Sequence, residues 1–312
     1  MRQQLAHRPM AQWKKKIYRG RWGYLMAAPL MVGLAIFSIF PFVYGITMSF
    51  FDISTSNPTW NFVGFGNYIE LFHDPIFGQS FKTMFILLIP KLIINVFVPF
   101  IFAEIIFNLR SQKASKVYRV LMLLPVIAPG VVGMLIWKSL YGTDGLFNLI
   151  LSTFSKDPVT IDWLNSDTKP FLTLLALIFL GFPWVGGTNV LIYLSGLMNI
   201  NEEIRESARL DGCGSWRKIF QIDMPLLLGQ FRYFLTFGLI GGLQDYGIQM
   251  ILYKDAPDYV YVPGYYLYRM AYTNDRSGYA STIGVVLFVL ILILTFIGNR
   301  LLRKDPTEGK KK

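Results

Sequence analysis

Residues 203–227 read EIRESARLDGCGSWRKIFQIDMPLL, a charged segment interrupted by glycines that lies between two long apolar runs. The chain around it has 312 residues, of which 53% are hydrophobic and only 16% are charged. Its mean hydropathy is +0.42. These values are too apolar for an ordinary soluble domain. The composition therefore predicts an all-α polytopic membrane protein, in which this segment connects two spans.

Six apolar runs in the chain are long enough to cross a bilayer as helices, which requires about twenty residues each. The first run has a basic flank like that of a signal peptide, but its apolar core continues far past the small residues, so we expect it to be retained. The six predicted spans are Tyr24–Phe51, Phe81–Phe107, Val117–Trp137, Pro170–Met198, Leu226–Leu252 and Tyr279–Leu302.

Lysine and arginine are concentrated in alternate connections, and short cytoplasmic loops carry the excess of these residues. The N-terminal tail is strongly basic, whereas the first connection, residues 52–80, contains no lysine or arginine. Both termini and segment 203–227 are therefore expected to be cytoplasmic. The predicted domains are a basic tail at 1–23, a transmembrane domain at 24–302 that includes a cytoplasmic loop at 199–225, and a basic tail at 303–312. We call residues 199–225 the charged loop.

The residue inventory excludes several functional classes. The net charge of +11 lies mostly in short segments between apolar runs, which argues against nucleic-acid binding. Cys213, His7 and His73 are the only cysteine and histidines, so no disulfide and no Cys/His metal site can form within the chain. Signatures of nucleotide hydrolysis, serine hydrolysis and zinc proteolysis are missing. We expect no enzyme activity and no bound metal or cofactor, so any energy must come from another chain.

The charged loop has the composition of a small helical hairpin. Glu203–Leu210 favours a helix that ends at Asp211-Gly212, because glycine tolerates the left-handed backbone of a helix end. A second helix is predicted from Ser215, as the N-cap, to about Ile222, with Pro225 ending the unit. The arginines and Lys218 are expected to face water or lipid headgroups. This hairpin could dock into a groove on another protein or rest on anionic lipid, and the residues alone leave both open.

The loop also resembles the EAA loop of ATP-binding-cassette importer permeases. That pattern is E-A-A, a glycine after three further residues, and I-x-L-P after nine more. Here it reads Glu206-Ser207-Ala208, Gly212, and Ile222-Asp223-Met224-Pro225, with serine for alanine and methionine for leucine. The stretches PWVGGTNVLIYLSGLMNI and RSGYASTIGVVLFVLILILTF extend the resemblance to the carbohydrate branch related to the maltose permease subunits.

This resemblance implies the partners and the coupling element of an importer. It implies a second, similar permease, giving a heterodimer, two ATPase subunits that hold ATP and Mg, and an extracytoplasmic solute-binding protein, all at a bacterial cytoplasmic membrane. In the family the EAA helix docks into a cleft of the ATPase subunit and moves with it. By this resemblance the ATPase-coupling residues are Glu206, Ser207, Ala208, Asp211, Gly212, Ile222 and Pro225.

Polar residues inside the spans indicate a path for solute, because they are costly in lipid and usually face a partner or water. Lys91 lies deepest and needs an anion, either Asp245 or an acidic group on the solute. A sugar also needs aromatic faces, hydrogen-bonding groups and small residues that leave room for it. The candidate substrate-path residues are Lys91, Asn95, Trp184, Gly187, Asn189, Gly241, Gly242, Gln244, Asp245, Tyr246 and Gln249.

The second span, KLIINVFVPFIFAEIIFN, also resembles a permease subgroup associated with oligosaccharides from acidic plant polysaccharides, with Lys91, Pro99 and Ala103 at matching spacing. This motivates the hypothesis that the solute carries carboxylates, as an oligouronide does. A structural Lys91–Asp245 pair with a neutral sugar is the alternative. The rival functions are an ion-coupled secondary transporter, an importer of a non-sugar solute and an integral-membrane enzyme. Internal repeats and broken half-helices, typical of secondary transporters, are not evident in the sequence.

Overall fold

The computed structural model describes residues 21–54, 56 and 59–302. The predicted basic tails therefore lie outside the described residues, except for residues 21–23, which begin the first helix. That first apolar stretch is helix α1 (Arg21–Leu34), a π-helical turn (Ala35–Ile39) and helix α2 (Phe40–Met48). Its apolar side chains are mostly exposed, with Met26 at 83% and Phe37 at 80%. Such a surface is stable in lipid or against another protein.

A short two-stranded sheet, absent from the all-helical prediction, follows the first span. Strands β1 (Phe51–Asp52) and β2 (Asn61–Phe62) pair antiparallel, with Phe51 opposite Phe62. Helix α3 (Gly66–His73) leads into the long helix α4 (Pro75–Phe107). This helix begins six residues before the predicted span, because Asp74 caps it and Pro75 suits its first position.

Three of the predicted spans are broken helices, and the first two breaks lie between residues 112 and 198. Helices α5 (Gln112–Ile127) and α6 (Gly130–Leu140) meet at an angle of 86° beside Pro129, where a single span was predicted. After α7 (Leu146–Thr153), helices α8 (Pro170–Phe179) and α9 (Gly187–Met198) are separated by residues 180–186. Two positions in this break, Gly181 and Trp184, have positive φ values of 91° and 56°, which end the regular helix.

The remaining helices run from the charged loop to the C-terminus. The loop and the first half of the next span, Ser215–Leu226 and Leu228–Gln244, meet at 69°. The bounds are α10 (Glu202–Leu210), α11 (Ser215–Lys218), a π-helical turn (Ile219–Asp223), α12 (Met224–Leu226), α13 (Leu228–Gln244), α14 (Gly247–Leu252), a 3₁₀ turn (Asp258–Val260), α15 (Pro263–Tyr272) and α16 (Ser277–Leu302).

Helix α4 is the central element, because both hydrophobic cores form around it. The core at its N-terminal half includes Met84, Leu87 and Leu88 and is completed by α8, α14, α15 and α16. The core at its C-terminal half includes Val96 and Phe100 and is completed by α9 and α13. Within the described residues three helical stretches can cross a membrane unaided, or five if each bent pair is one span.

A polar network fixes the N-terminal end of α4. The Asp74 carboxylate accepts hydrogen bonds from the backbone N–H groups of Ile76 (2.9 Å) and Phe77 (3.4 Å), and from the hydroxyls of Tyr266 and Tyr279. Burial raises the pKa of Asp74, but these hydrogen bonds lower it more, so the pKa lies below its ordinary value. The network therefore holds an ionised carboxylate that joins α4 to α15 and α16.

Candidate functional site

The first helix of the charged loop ends where the sequence predicts. Gly212 has φ +70°, the left-handed conformation that glycine adopts without strain. The Cys213 N–H donates to the Ala208 carbonyl at 2.9 Å, and the Gly212 N–H donates to the Arg209 carbonyl at 3.1 Å. These two bonds form a Schellman motif, which satisfies carbonyls that a helix end would otherwise leave unpaired. The fixed turn sets the direction in which α10 leaves the rest of the loop.

The second half of the loop differs from the prediction in two respects. Ser215 is the first residue of α11 rather than its cap, because Gly214 occupies the cap position with extended backbone at φ −68°. Pro225 does not end the unit. It lies in α12, where its fixed φ suits the first turn and its missing N–H is not required, and the break follows at Leu227.

The predicted ATPase-coupling residues form an accessible surface. Leu210 beside them is 89% exposed and Trp216 is 76% exposed, although both are large and apolar. Exposed apolar side chains on a charged loop are typical of an interaction surface. Glu206, Ser207, Asp211, Gly212 and Pro225 are exposed, and Ala208 and Ile222 are half-buried.

The structure corrects the predicted surroundings of several charged residues. Arg205 was expected to face water or headgroups, but it is only 3% exposed and donates to the Leu197 carbonyl. Glu104, near the end of α4, is also buried: it is 4% exposed and accepts a hydrogen bond from the Asn108 side chain at 3.0 Å. The sequence did not reveal that Arg205 and Glu104 are both buried, since the two residues lie about a hundred positions apart in the chain.

A cavity of about 380 Å³ lies between α4 and the break that joins α13 to α14. Apolar side chains from both sides, including Leu88 of α4 and Ile248 of α14, complete its wall. An apolar wall with a few convergent polar groups is the usual form of a small-molecule site. Of the predicted substrate-path residues, the cavity brings together Lys91, Asn95, Gly241, Gly242, Asp245 and Gln249.

The two opposite charges in the cavity do not contact each other. No ion pair within 4.0 Å joins Lys91 to Asp245, and both residues lie in the described part of the chain. The Asp245 carboxylate instead accepts the Gly247 N–H at 3.1 Å, across the break between α13 and α14. Gln249 donates its side-chain N–H to the Val260 carbonyl at 3.2 Å and is therefore partly occupied in holding the fold. Lys91 and Asp245 are free to interact with a solute in this conformation.

The other predicted path residues do not line this cavity. Trp184 lies in the break before α9, at 5.0 Å from the Phe182 ring, and Tyr246 stacks on Tyr268 at 6.2 Å. A Cβ atom on Gly187 would lie 1.9 Å from the Met122 carbonyl oxygen, so this glycine permits close helix packing. The residues outside the cavity are Trp184, Gly187, Asn189, Gln244 and Tyr246.

The broken helices also change one argument against a rival function. Breaks at 180–186 and at Asp245-Tyr246 interrupt predicted spans near polar residues. Non-helical backbone at membrane depth is tolerated where it lines a cavity, and secondary transporters use it too. Helix breaks therefore do not distinguish a secondary transporter from an importer subunit. The family to which the chain belongs distinguishes the two functions.

The chain folds as a helical membrane protein with a polar cavity between its helices and an exposed helical hairpin in the charged loop. The model of the family described as "Binding-protein-dependent transport system inner membrane component" matches residues 95–305, more than half of the chain. The chain therefore belongs to this family of membrane transport components, which are permease subunits of ABC transporters and not enzymes.

Named relatives align along almost the full chain. It is 29% identical over 287 residues to YurN of Bacillus subtilis, a probable ABC transporter permease protein, covering 91% of this chain and 97% of that one. It is 27% identical to the permease protein AraP of an arabinooligosaccharide transport system in the same organism, covering 95% and 94%. A solved bacterial ABC transporter involved in the import of alginate, an acidic polysaccharide, has a chain of the same fold, with 24% identity, a TM-score of 0.80 and coverage of 95% and 99%.

Proposed function

We propose that this chain is one of two different permease subunits of an ATP-driven importer, and that its solute is an oligosaccharide. Six spans would cross a bacterial cytoplasmic membrane, with both termini and the charged loop inside. The three bent or interrupted segments would each count as one span. The basic tails and the basic inner connections support this orientation through the positive-inside rule.

The charged loop would bind one of two ATPase subunits, which hold ATP and Mg, while a binding protein delivers the solute outside. Docking needs an accessible surface with a fixed shape, and the exposed residues Glu206 and Gly212 beside the Schellman turn meet both conditions. Resting on anionic lipid would bury the exposed Leu210 and Trp216 equally well. Removal of the Schellman turn distinguishes docking to an ATPase subunit from binding to anionic lipid, because lipid binding does not require the turn.

Transport would follow alternating access around the cavity. Closure of the ATPase pair on ATP would displace the charged loop, and the helices would reopen outward around the solute. No step requires covalent chemistry by this chain. The cavity at Lys91 and Asp245, bounded by Gly241 with open space beside it, is the observation that carries the substrate proposal.

We further propose that the oligosaccharide carries carboxylates. Lys91 is a cation without an ion-pair partner within 4.0 Å among the described residues, in a cavity that a solute can reach. A carboxylate on the solute would supply the anion that a buried ammonium group needs.

The test is ATPase stimulation of the purified complex in liposomes, with its binding protein loaded in turn with neutral and acidic oligosaccharides. We expect oligouronides to stimulate hydrolysis and uptake, and neutral maltodextrins to stimulate neither. Stimulation by maltodextrins and not by oligouronides would refute the acidic substrate. Stimulation only by a non-carbohydrate solute would refute the sugar as well.

A further inference from the structure

A buried ionic cluster lies between the charged loop and the end of α4. Asp223 is fully buried, and its carboxylate oxygens lie 3.8 Å from Arg205 Nη2 and 3.5 Å from Lys218 Nζ. The Arg205 guanidinium is buried as well. These three side chains come from both helical arms of the hairpin, so their attraction holds the arms together.

Both cations of this cluster also reach the last turns of α4. The Arg205 guanidinium carbon lies 4.2 Å from the centre of the Phe107 ring, a cation–π contact. Lys218 Nζ donates to the Asn108 side-chain oxygen at 2.9 Å, and the Asn108 amide in turn donates to Glu104 at 3.0 Å. A continuous set of polar contacts therefore runs from the hairpin into the end of α4.

Stability alone does not explain this buried ionic cluster. Burying charges costs several kcal/mol for each ion, and well-packed apolar side chains often stabilise a fold as much. The same loop has an exposed ion pair, Arg209 with Glu202 at 3.3 Å. An exposed pair loses little hydration and does not hold its side chains in one geometry. A buried pair differs because it fixes the relative positions of its two side chains, so that a displacement of one segment also moves the other.

Helix α4 connects this cluster to the cavity. Lys91 lies thirteen residues before Glu104 on the same helix, a distance of about 20 Å at 1.5 Å per residue. Asn95 and Leu88 of α4 line the same cavity. A displacement applied to the end of α4 therefore reaches the wall that faces the solute.

We propose that Arg205, Lys218 and Asp223 are positioning residues that fix the charged loop to the end of α4, so that movement of the loop reshapes the cavity. The proposal rests on the proposed function, in which an ATPase subunit moves the loop. It deepens that function by naming the mechanical connection inside this chain.

The test measures solute taken up per ATP hydrolysed by the complete complex in liposomes, with its binding protein and its natural solute. Asp223→Asn should leave hydrolysis measurable but lower uptake per ATP by about 2- to 30-fold, the range in which residues along a coupling network act. Lys218→Gln should act in the same direction, and Lys218→Arg, which keeps the charge, should restore most of the ratio. Glu203→Gln is the matched control, since Glu203 is exposed and, among the described residues, its side chain hydrogen-bonds only to Asn201.

An unchanged ratio in assembled Asp223→Asn and Lys218→Gln complexes would overturn the proposal. Failure of both variants to assemble would also overturn it, because the cluster would then serve folding alone. Neither result affects the proposed function, which fails instead if a complex with a disrupted Gly212 turn still imports solute with ATP hydrolysis intact.

Discussion

The ammonium group of Lys91 and the carboxylate of Asp245 lie in one cavity without forming an ion pair within 4.0 Å. A charged residue inside a span is expensive, so it usually has a partner or faces a water-filled path. Asp245 already accepts the Gly247 N–H, which holds its carboxylate at the helix break. Lys91 is therefore the residue that a carboxylate on the proposed solute would contact.

Lys91→Met should lower the uptake of an acidic oligosaccharide by about tenfold or more, because a hydrogen bond to a charged group contributes about 1.5–3 kcal/mol. Hydrolysis of ATP should continue. Lys82→Met is the matched control, since Lys82 lies on the same helix but is exposed and outside the cavity. Equal uptake by the two variants would show that Lys91 does not contact the solute.

At the residue scale, the sequence predicts several residues of the cavity wall, but it does not predict the surroundings of the charged residues near the loop. Lys91, Gly241 and Asp245 do line one cavity, because charge and small size are unusual in a span and stand out in the sequence. The burial of Arg205 could not be predicted. It depends on Phe107, about a hundred residues away, and no local pattern carries that contact.

At the scale of elements, one glycine decides how closely α9 and α5 approach. Gly187→Ala should destabilise the protein by about 1–3 kcal/mol, because the added methyl group would meet the backbone carbonyl of Met122, which cannot move aside. The measurement is the thermal unfolding temperature of the purified protein in detergent. Gly133→Ala is the control, because among the described residues no atom beyond its own stretch of helix lies within 4 Å of the position that its added methyl group would take. It should leave the unfolding temperature unchanged or raise it slightly. Equal stability of the two variants would contradict the close approach.

The start of α4 gives a second prediction at this scale. Asp74→Ala removes a helix cap and two tyrosine hydrogen bonds, so we expect a loss of about 1–3 kcal/mol. The pKa of Asp74 is lowered in the folded protein, so its contribution is complete above the unfolded pKa of about 3.9 and is lost as the pH falls through the folded pKa. Unfolding temperatures of wild type and variant should therefore differ from pH 5 to 8 and converge at lower pH. The exposed Asp144→Ala should show no such difference.

The sequence predicts the positions of the apolar spans but not the helix breaks within them. Apolar runs locate the membrane segments, because burial in lipid requires them whatever the local geometry. The run from Pro170 to Met198 is nevertheless two helices, since the positive φ angles at Gly181 and Trp184 interrupt it. The 86° bend beside Pro129 is likewise a feature that a hydrophobic run does not report.

In the whole molecule, one long helix, α4, lines the cavity along its length and contacts the charged loop at its C-terminal end. Helix α4 carries Lys91 in the cavity wall and Glu104 beside the buried ionic cluster. The hairpin was predictable, because Gly212 and the Schellman turn follow from local rules. Its attachment to α4 was not, because it is a tertiary contact between segments distant in the chain.

We propose that an ATPase subunit drives transport through the charged loop, and the Gly212→Pro variant tests this coupling. Proline cannot adopt φ +70° and removes the N–H that bonds Arg209, so the turn cannot form. Uptake and solute-stimulated ATP hydrolysis would be measured in liposomes, with Gly212→Asn as the control, since asparagine tolerates the left-handed backbone. We expect Gly212→Pro to insert in the membrane but to lose both activities, and Gly212→Asn to keep them. Normal solute import by the Gly212→Pro variant, with its ATPase subunits or without them, would show that the charged loop does not power transport.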